Sequence, residues 1–262
     1  MLYKEKLLEH IQGEASRNRM LKILDKAESV LKKHDIKYTD FLTPQEVALA
    51  CGILNSIRDL KYIVSGGYNE AERRIIVIFP EYLEDHMIDI PISVFELRCT
   101  SKFEKPDHRD YLGAILGLGL KREKIGDIIV HNNICQVIVH NSIKDYIAYN
   151  LNKVGNVFVK IKEIKLEDII LPEIEYKQIT GNVASLRLDS VLSLAYKVSR
   201  TEAQSLISKE RVSINWTQVT KSSYEVIEKD VISVKGKGRV IVASIEGKTK
   251  SERIIIKLHK LI

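Results

Sequence analysis

Apolar residues over the first 60 positions recur at the three- and four-residue spacing that is typical of amphipathic helices. One stripe covers residues 7–11, and a longer one covers residues 20–31. The segment 43–46 then reads Thr-Pro-Gln-Glu. This is a helix start, because Thr caps the first turn, Pro suits the first helical position and Glu closes a capping box. The pattern predicts a helical N-terminal region over residues 1–60.

From about Tyr62 the pattern changes to alternating or continuous apolar runs, which favour strands. The predicted strands cover residues 62–65, 74–79, 94–99, 127–131, 135–140 and 157–161, and the predicted helices follow Asp107 and cover residues 143–151. Gly66-Gly67 and Asn132-Asn133 mark two turns. This order predicts a mixed α/β sandwich similar to RNA-recognition folds over residues 61–170. The segment lacks the aromatic-rich strand motif with which those folds stack bases.

Residues 171–182 contain Pro and Gly and are interpreted as a linker. After them, residues 183–262 have the pattern of a small α+β domain. Its two helices have apolar faces formed by Leu188, Val191, Leu192 and Ala195 and by Ala203, Leu206 and Ile207. Ser199, with Glu202 three residues later, forms a capping box for the second helix. Residues 212–214 and 231–234 read as short strands. The fold class of the whole chain is therefore α+β.

Net charge distinguishes this last domain from the rest of the chain. Residues 183–262 contain 15 Lys and Arg against 8 Asp and Glu, whereas the preceding residues contain 26 against 27. The whole excess of positive charge, which gives the chain a net charge of +6, therefore lies in its final 80 residues. A basic module joined to a neutral body suits a polyanionic partner.

Composition further limits the class of protein and its cellular compartment. The N-terminus has no long apolar core of a secretory signal, and no apolar run approaches the ~20 residues that span a bilayer. Cys51, Cys99 and Cys135 are far apart with apolar neighbours, so we interpret them as small core residues and expect neither disulfides nor a zinc site. We expect a monomer in a reducing cytoplasm, without a membrane partner.

Motifs in the last domain resemble the small RNA-binding domain first described in ribosomal small-subunit protein S-four. They are R-L-D at 187–189, S-R-x-x-A-x-x-L-I at 199–207, V-x-I-N at 212–215 and D-x-I-x-V at 230–234. The Asn215-Trp216 pair and the basic run 235–239 further resemble the bacterial YlmH family, whose members carry this domain at the C-terminus. The resemblance covers the whole chain. It departs from the S-four pattern at Glu210, where that domain usually has Gly after its second helix.

The predicted RNA-binding surface is one face of the two short helices with the loops that follow. Basic side chains would contact phosphates of structured RNA, and three polar ones would donate hydrogen bonds to phosphate or sugar. The basic residues are Arg187, Arg200, Lys209, Arg211, Lys221, Lys235, Lys237 and Arg239, and the polar ones are Ser199, Gln204 and Asn215. Trp216 either stacks on a base or fills the core. Arg200 occupies a first helical turn, where a cation opposes the helix dipole.

A second set of candidate RNA contacts lies in the middle of the chain. They are His108 and Arg109, with Lys102, Lys105, Lys121, Arg122 and Lys124 close by in sequence. The triplet His108-Arg109-Asp110 also spells a kinase catalytic motif. A kinase needs Asn five residues after the Asp, and Ile115 stands there, so a capped helix start is the better interpretation.

Other enzyme signatures are incomplete. Gly113, Gly117 and Gly119 do not fit a dinucleotide-binding loop. Arg187-Leu188-Asp189 matches the catalytic triplet of pseudouridine synthases, but here it opens the RNA-binding domain itself, so Asp189 is interpreted as structural. The synthetase signatures H-I-G-H and K-M-S-K-S do not occur. We therefore predict no catalytic residue, no cofactor and no metal.

The YlmH resemblance implies a target. It implies binding to rRNA or tRNA on the large ribosomal subunit, in rescue of stalled translation. Two alternatives remain open at this point. One is an RNA-modifying enzyme with an unrecognised site in the middle domain. The other is an interaction scaffold for division proteins, since genes of this family are linked to bacterial division loci.

Overall fold

The computed structural model describes residues 3–11, 13–101, 105–131, 134–171, 175–249 and 251–261. The chain divides into two compact units, Met1–Pro172 and Glu173–Ile262. Among the described residues, the first unit contains two β-sheets and the second contains one.

The first sheet is built with the N-terminal helices. These elements are α1 (Lys4–Leu8), α2 (Glu14–Lys33), β1 (Lys37–Tyr38), α3 (Pro44–Leu54), β2 (Leu60–Ser65) and β3 (Ile75–Pro80). The strands pair antiparallel in the order β1-β3-β2. The predicted start of α3 is confirmed, because the Thr43 hydroxyl accepts a hydrogen bond from the Glu46 N–H and the Glu46 carboxylate accepts one from the Thr43 N–H.

The second sheet belongs to the middle of the chain. Its elements are β4 (Ile92–Cys99), α4 (His108–Gly117), β5 (Ile125–His131), β6 (Ile134–His140), α5 (Lys144–Asn150), β7 (Lys153–Val154) and β8 (Val157–Ile164). The strands pair antiparallel in the order β5-β6-β4-β8-β7. Without the short β7, this is the strand–helix–strand–strand–helix–strand topology of RNA-recognition folds, as predicted. The predicted turn at Asn132-Asn133 lies outside the described residues.

Strand β3, the central strand of the first sheet, packs between the N-terminal helices and the second sheet. All six of its residues are buried. Ile76 and Ile78 join the core of α2 and α3, whereas Ile75, Val77 and Phe79 pack with residues of the second sheet. A strand that is covered on both faces has a continuous run of apolar residues, and the sequence of β3 is such a run.

The predicted boundary at residue 60 is wrong. The sequence pattern places the hairpin of β2 and β3 in the middle domain, but this hairpin pairs with β1 and covers the N-terminal helices. Local periodicity identified both strands correctly. It gave no information about their partners, because strand pairing is set by contacts distant in sequence.

The second unit has one antiparallel sheet and two helices. Its elements are β9 (Tyr176–Val183), α6 (Leu188–Tyr196), α7 (Arg200–Ser208), β10 (Val212–Ile214), β11 (Thr217–Gln218), β12 (Val231–Val234), β13 (Gly238–Lys248) and β14 (Ile254–Leu261). The strand order is β11-β10-β12-β13-β14-β9. The predicted apolar faces of both helices are confirmed, since all seven of their residues lie in the buried core.

The linker predicted over residues 171–182 is wrong for its second half. Strand β9 pairs with β14 from Tyr176 opposite Leu261 to Val183 opposite Ile254. Gly181 indicates a loop in the sequence, yet it lies in this strand. Glycine is needed there because a Cβ would be 2.4 Å from Cδ1 of Leu194 on α6. The Pro172 signal lies outside the described residues.

Candidate nucleic-acid interface

Asp189 is the centre of the basic surface of the second unit. Its side chain has 0% exposure. It accepts hydrogen bonds from Nε of Arg187 at 3.2 Å, Nε2 of Gln204 at 2.8 Å and the guanidinium of Arg200 at 3.3 Å. Burial by itself raises the pKa of the Asp189 carboxyl, but these bonds and the positive charges outweigh burial and hold the pKa below its ordinary value. The carboxylate therefore stays ionised and is satisfied inside the fold.

The partners of Asp189 remain at the surface. The side chains of Arg187 and Arg200 are 37% and 53% exposed. One buried negative charge thus fixes two guanidinium groups that retain further N–H donors. This explains the unfavourable position of Arg200 in the first turn of α7, because the ion pair with Asp189 offsets the helix dipole. The predicted structural role of Asp189 is confirmed.

Arg211 and the loop before β13 form the neighbouring part of the surface. The Lys235 N–H donates to the Arg211 carbonyl at 2.9 Å, and the Arg211 guanidinium donates to the Lys235 carbonyl at 3.4 Å. Lys237 in the same loop lies 3.4 Å from Glu202 in the first turn of α7. The loop is therefore held beside α7. We call Arg187, Arg200, Arg211, Lys235 and Lys237 together the arginine face.

The other predicted basic contacts lie around this face. Lys221 precedes Ser222, whose carbonyl accepts a hydrogen bond from the Asp189 N–H at 3.4 Å. Lys209 is exposed at the C-terminal end of α7, where a cation complements the helix dipole. Arg239 lies on β13 opposite Ser233. Their contact with RNA stays a prediction.

The three polar candidates are already engaged in the fold. Ser199 caps α7, since its hydroxyl accepts from the Glu202 N–H at 3.1 Å. Gln204 donates to Asp189. The amide of Asn215 accepts from the Val231 N–H at 2.9 Å and donates to Asp230 at 2.7 Å. These hydrogen bonds stabilise the fold of the second unit. Hydrogen bonding of the same three side chains to RNA stays a prediction.

The turns that follow β10 and α7 use left-handed backbone without glycine. Asn215 and Trp216, with φ of 47° and 66°, join β10 to β11, the conformation of a two-residue hairpin turn. Trp216 is partly exposed and is not one of the buried core residues. Glu210 has φ of 56° after α7, so the turn keeps the conformation that suits Gly. Gln218 stabilises it by donating to the Glu210 carbonyl at 2.7 Å.

Of the candidate RNA contacts in the middle domain, some are exposed and others are bound to neighbouring groups of the fold. Arg122 donates to the carbonyls of Ile125 and Gly126, and burial lowers its pKa to about 10. Lys124 forms an ion pair with Asp40 at 2.5 Å. Both side chains stabilise the fold, which a count of basic residues did not reveal. His108, Arg109, Lys105 and Lys121 are exposed, and Lys102 lies outside the described residues.

The kinase-like triplet is a capped helix start, as predicted. The Asp107 side chain accepts hydrogen bonds from the N–H groups of Arg109 and Asp110, and the Asp110 carboxylate accepts one from the Asp107 N–H. Asp107 and Asp110 therefore cap the first turn of α4.

The three cysteines pack in the hydrophobic cores of the first unit. Cys135 is buried, and Cys51 and Cys99 are partly buried against the two cores of the first unit. Among the described residues, no group of three His, Cys, Asp or Glu side chains is arranged to hold a metal ion. In the same part of the chain, no helix is both long and apolar enough to cross a bilayer.

Comparisons with known proteins agree with this architecture. "YlmH, N-terminal" matches residues 15–83, "Putative RNA-binding domain in YlmH" matches residues 86–168, and the S4 domain, which is the S-four type, matches residues 186–232. Ribosome-associated protein quality control protein P2 of Bacillus subtilis is 37% identical over 224 residues, which cover 86% of this chain and 87% of the relative.

A solved structure shares the fold over part of this chain. Cell division protein ylmH from Streptococcus pneumoniae has a TM-score of 0.52 at 24% identity, and the match covers 61% of this chain and 96% of that one. The fold and the arginine face thus define a protein with an S4-type RNA-binding domain. The chain belongs to the YlmH family.

Proposed function

We propose that this protein is a non-catalytic RNA-binding factor that binds rRNA or tRNA on the large ribosomal subunit and acts in the rescue of stalled translation. The observation that carries the proposal is the buried Asp189, which fixes Arg187 and Arg200 at the surface of the S4 domain. The name of the Bacillus subtilis relative, a ribosome-associated quality control protein, supports the ribosomal setting.

The chemistry of the arginine face suits the backbone of folded RNA. Guanidinium groups bind phosphate through two parallel N–H donors, and groups that are already positioned lose less entropy on binding. The deep, narrow groove of A-form RNA excludes side chains from the base edges. The arginine face therefore recognises the shape and phosphate spacing of structured RNA rather than its sequence.

Two structural roles support the non-catalytic assignment. Asp189, the acid of a pseudouridine-synthase-like triplet, is enclosed by three side chains of its own domain. Asp110, the acid of the kinase-like triplet, closes a capping box. Both acids that resemble catalytic residues are therefore used to stabilise helices. We further propose a cytoplasmic, monomeric protein, as the sequence predicts.

The salt dependence of RNA binding tests the proposed surface. The logarithm of the affinity for a folded tRNA falls linearly with the logarithm of salt concentration, and each phosphate contact contributes about 0.9 to the slope. Arg211→Gln and Lys237→Gln are each expected to reduce the slope by about 1. Anisotropy titrations at four salt concentrations measure it.

Arg253→Gln is the matched control. Arg253 is exposed at the turn between β13 and β14, at the other end of β13 from the arginine face. Eleven residues of strand separate these ends by about 35 Å. A slope that falls equally in Arg253→Gln would show that the chain binds RNA by general charge and would contradict the proposed surface.

A further inference from the structure

The second sheet has one face covered by helices and another that is only partly covered. Phe95, Leu97 and Val137 lie in the core formed with α4 and α5. On the other face, Val94 and Ile138 pack against β3 of the first sheet. The segment 168–170 also covers this face, where the Gln136 amide donates to the Asp168 carbonyl and accepts from the Ile170 N–H. From Gln136 on β6 towards β8 and β7, the same face carries exposed side chains.

Strand register places these side chains side by side. Arg98 on β4 lies opposite Lys160 on β8, and Phe158 on β8 lies opposite Lys153 on β7. Side chains two residues apart along a strand share a face, so Lys162 lies on it as well. We call Phe158, Lys153, Arg98, Lys160 and Lys162 the Phe158 platform.

The aromatic ring at this position is unusual for its exposure. The Phe158 side chain is 63% exposed, although its neighbours Val157 and Val159 are buried in the core. The strand is fixed here, because the N–H and hydroxyl of Thr100 both donate to the Phe158 carbonyl, at 3.1 and 3.0 Å. A rigid strand therefore presents a large apolar ring to solvent, which costs free energy unless a partner covers it.

Positive charge surrounds the ring. The ammonium of Lys153 lies 5.6 Å from the ring centroid. Arg98, Lys160 and Lys162 are exposed on the same face, and Glu96, the nearest acid in the register, is paired with Arg98 at 2.6 Å. Four cations against one carboxylate favour an anionic partner, and the exposed ring favours one with flat apolar surfaces.

We propose that the Phe158 platform is a second RNA-binding site, which takes an unpaired nucleotide of single-stranded RNA. The base stacks on the ring of Phe158, and the flanking phosphates contact Lys153, Lys160 and Lys162. Aromatic rings on a sheet bind splayed bases of any identity, whereas bases inside a duplex are unavailable to them. The inference goes beyond the proposed function, because this site selects unpaired RNA and the arginine face binds structured RNA.

Titration of a fluorescent ten-nucleotide oligouridine with the full-length protein tests the platform. All variants are made in an Arg200→Glu/Arg211→Glu background, so that the arginine face does not contribute. Phe158→Ala is expected to weaken binding roughly 5- to 150-fold, the range found for loss of one base stack. Phe158→Tyr is expected to bind within about 2-fold of the background protein, since a ring is retained.

Tyr149→Ala is the matched control. This aromatic residue is 88% exposed on α5, and its loss is expected to leave oligouridine binding unchanged. A self-complementary RNA duplex of the same length is expected to be insensitive to Phe158→Ala.

Three results would overturn the inference. The first is that Phe158→Ala binds oligouridine as tightly as the background protein does. If an acidic peptide then competes with oligouridine, the basic side chains bind an acidic protein segment instead of RNA. The second is equal loss in Phe158→Ala and Tyr149→Ala. The third is no binding by the background protein at about 100 μM, the weak limit of non-specific nucleic-acid binding. The proposed function fails separately, if the intact chain does not bind folded tRNA.

Discussion

At the scale of single residues, a buried charge positions exposed ones. Asp189 is fully enclosed, and its three partners supply the hydrogen bonds that a buried carboxylate requires. Removal of such an acceptor leaves donors without a partner and usually costs about 1–3 kcal/mol. The same change also frees the side chains of Arg187 and Arg200, so one residue couples the stability of the domain to the proposed RNA binding.

Asp189→Asn is therefore expected to lower the free energy of unfolding of the second unit by about 1–3 kcal/mol at pH 7. Denaturation followed by fluorescence of Trp216 measures this, since the chain has 1 Trp. Glu246→Gln is the control. That exposed carboxylate pairs with Lys257 at the surface, where an ion pair contributes at most about 1 kcal/mol.

The pH dependence has a definite sign. Because the folded pKa of Asp189 lies below its ordinary value, its contribution is fully present above the unfolded pKa of about 4 and is lost as the pH falls through the folded pKa. The stability difference between the intact protein and Asp189→Asn should therefore narrow below about pH 4. A difference that widens there would contradict the assignment.

At the scale of elements, the sequence predicts what local patterns determine. The apolar stripes of α2, α6 and α7 and the caps Thr43, Asp107 and Ser199 were all readable, because their signals repeat within one or two helical turns. Strand β9 was not, because its partner β14 lies some 80 residues later in the chain and Gly181 indicated a loop. The close packing of Leu194 on Gly181 appears only in three dimensions.

Gly181→Ala tests this packing. The new Cβ would lie 2.4 Å from Leu194 Cδ1, so we expect a loss of about 1–3 kcal/mol, the usual cost of overpacking. Leu194→Ala in the same chain makes room for it, so the double variant should be more stable than the sum of the two single losses. Gly247→Ala, on β13 with open space around it, is the control. Additive losses would contradict the packing of α6 on β9.

The site was predictable where the signal was chemical and local. The spacing of Arg187, Arg200 and Arg211 within the S-four pattern identified the basic surface. The roles of Asn215 and Lys124 were not predictable, since their partners Asp230 and Asp40 are at least 15 residues away. The role of Arg122 was not predictable either, because its partners are backbone carbonyls, which every residue type carries. Phe158 has no sequence signal of its own, because one aromatic residue does not form a motif.

At the scale of the whole molecule, charge and topology separate two kinds of surface. The final 80 residues hold the entire excess of positive charge, and the arginine face lies within them. In the first unit, the N-terminal sheet covers part of the face that an RNA-recognition fold leaves open. The continuous apolar run of β3 agrees with this arrangement, because strands buried on both faces have that pattern.

The most direct test of the central claim is co-sedimentation with ribosomal subunits, at low and high salt. It compares the intact chain with Arg200→Glu/Arg211→Glu and with the charge-matched control Lys248→Glu/Arg253→Glu, at the far end of β13. We expect the intact chain and the control to travel with large subunits at low salt and to dissociate at high salt, while the arginine-face variant stays at the top of the gradient. Identical behaviour of all three chains would contradict the account.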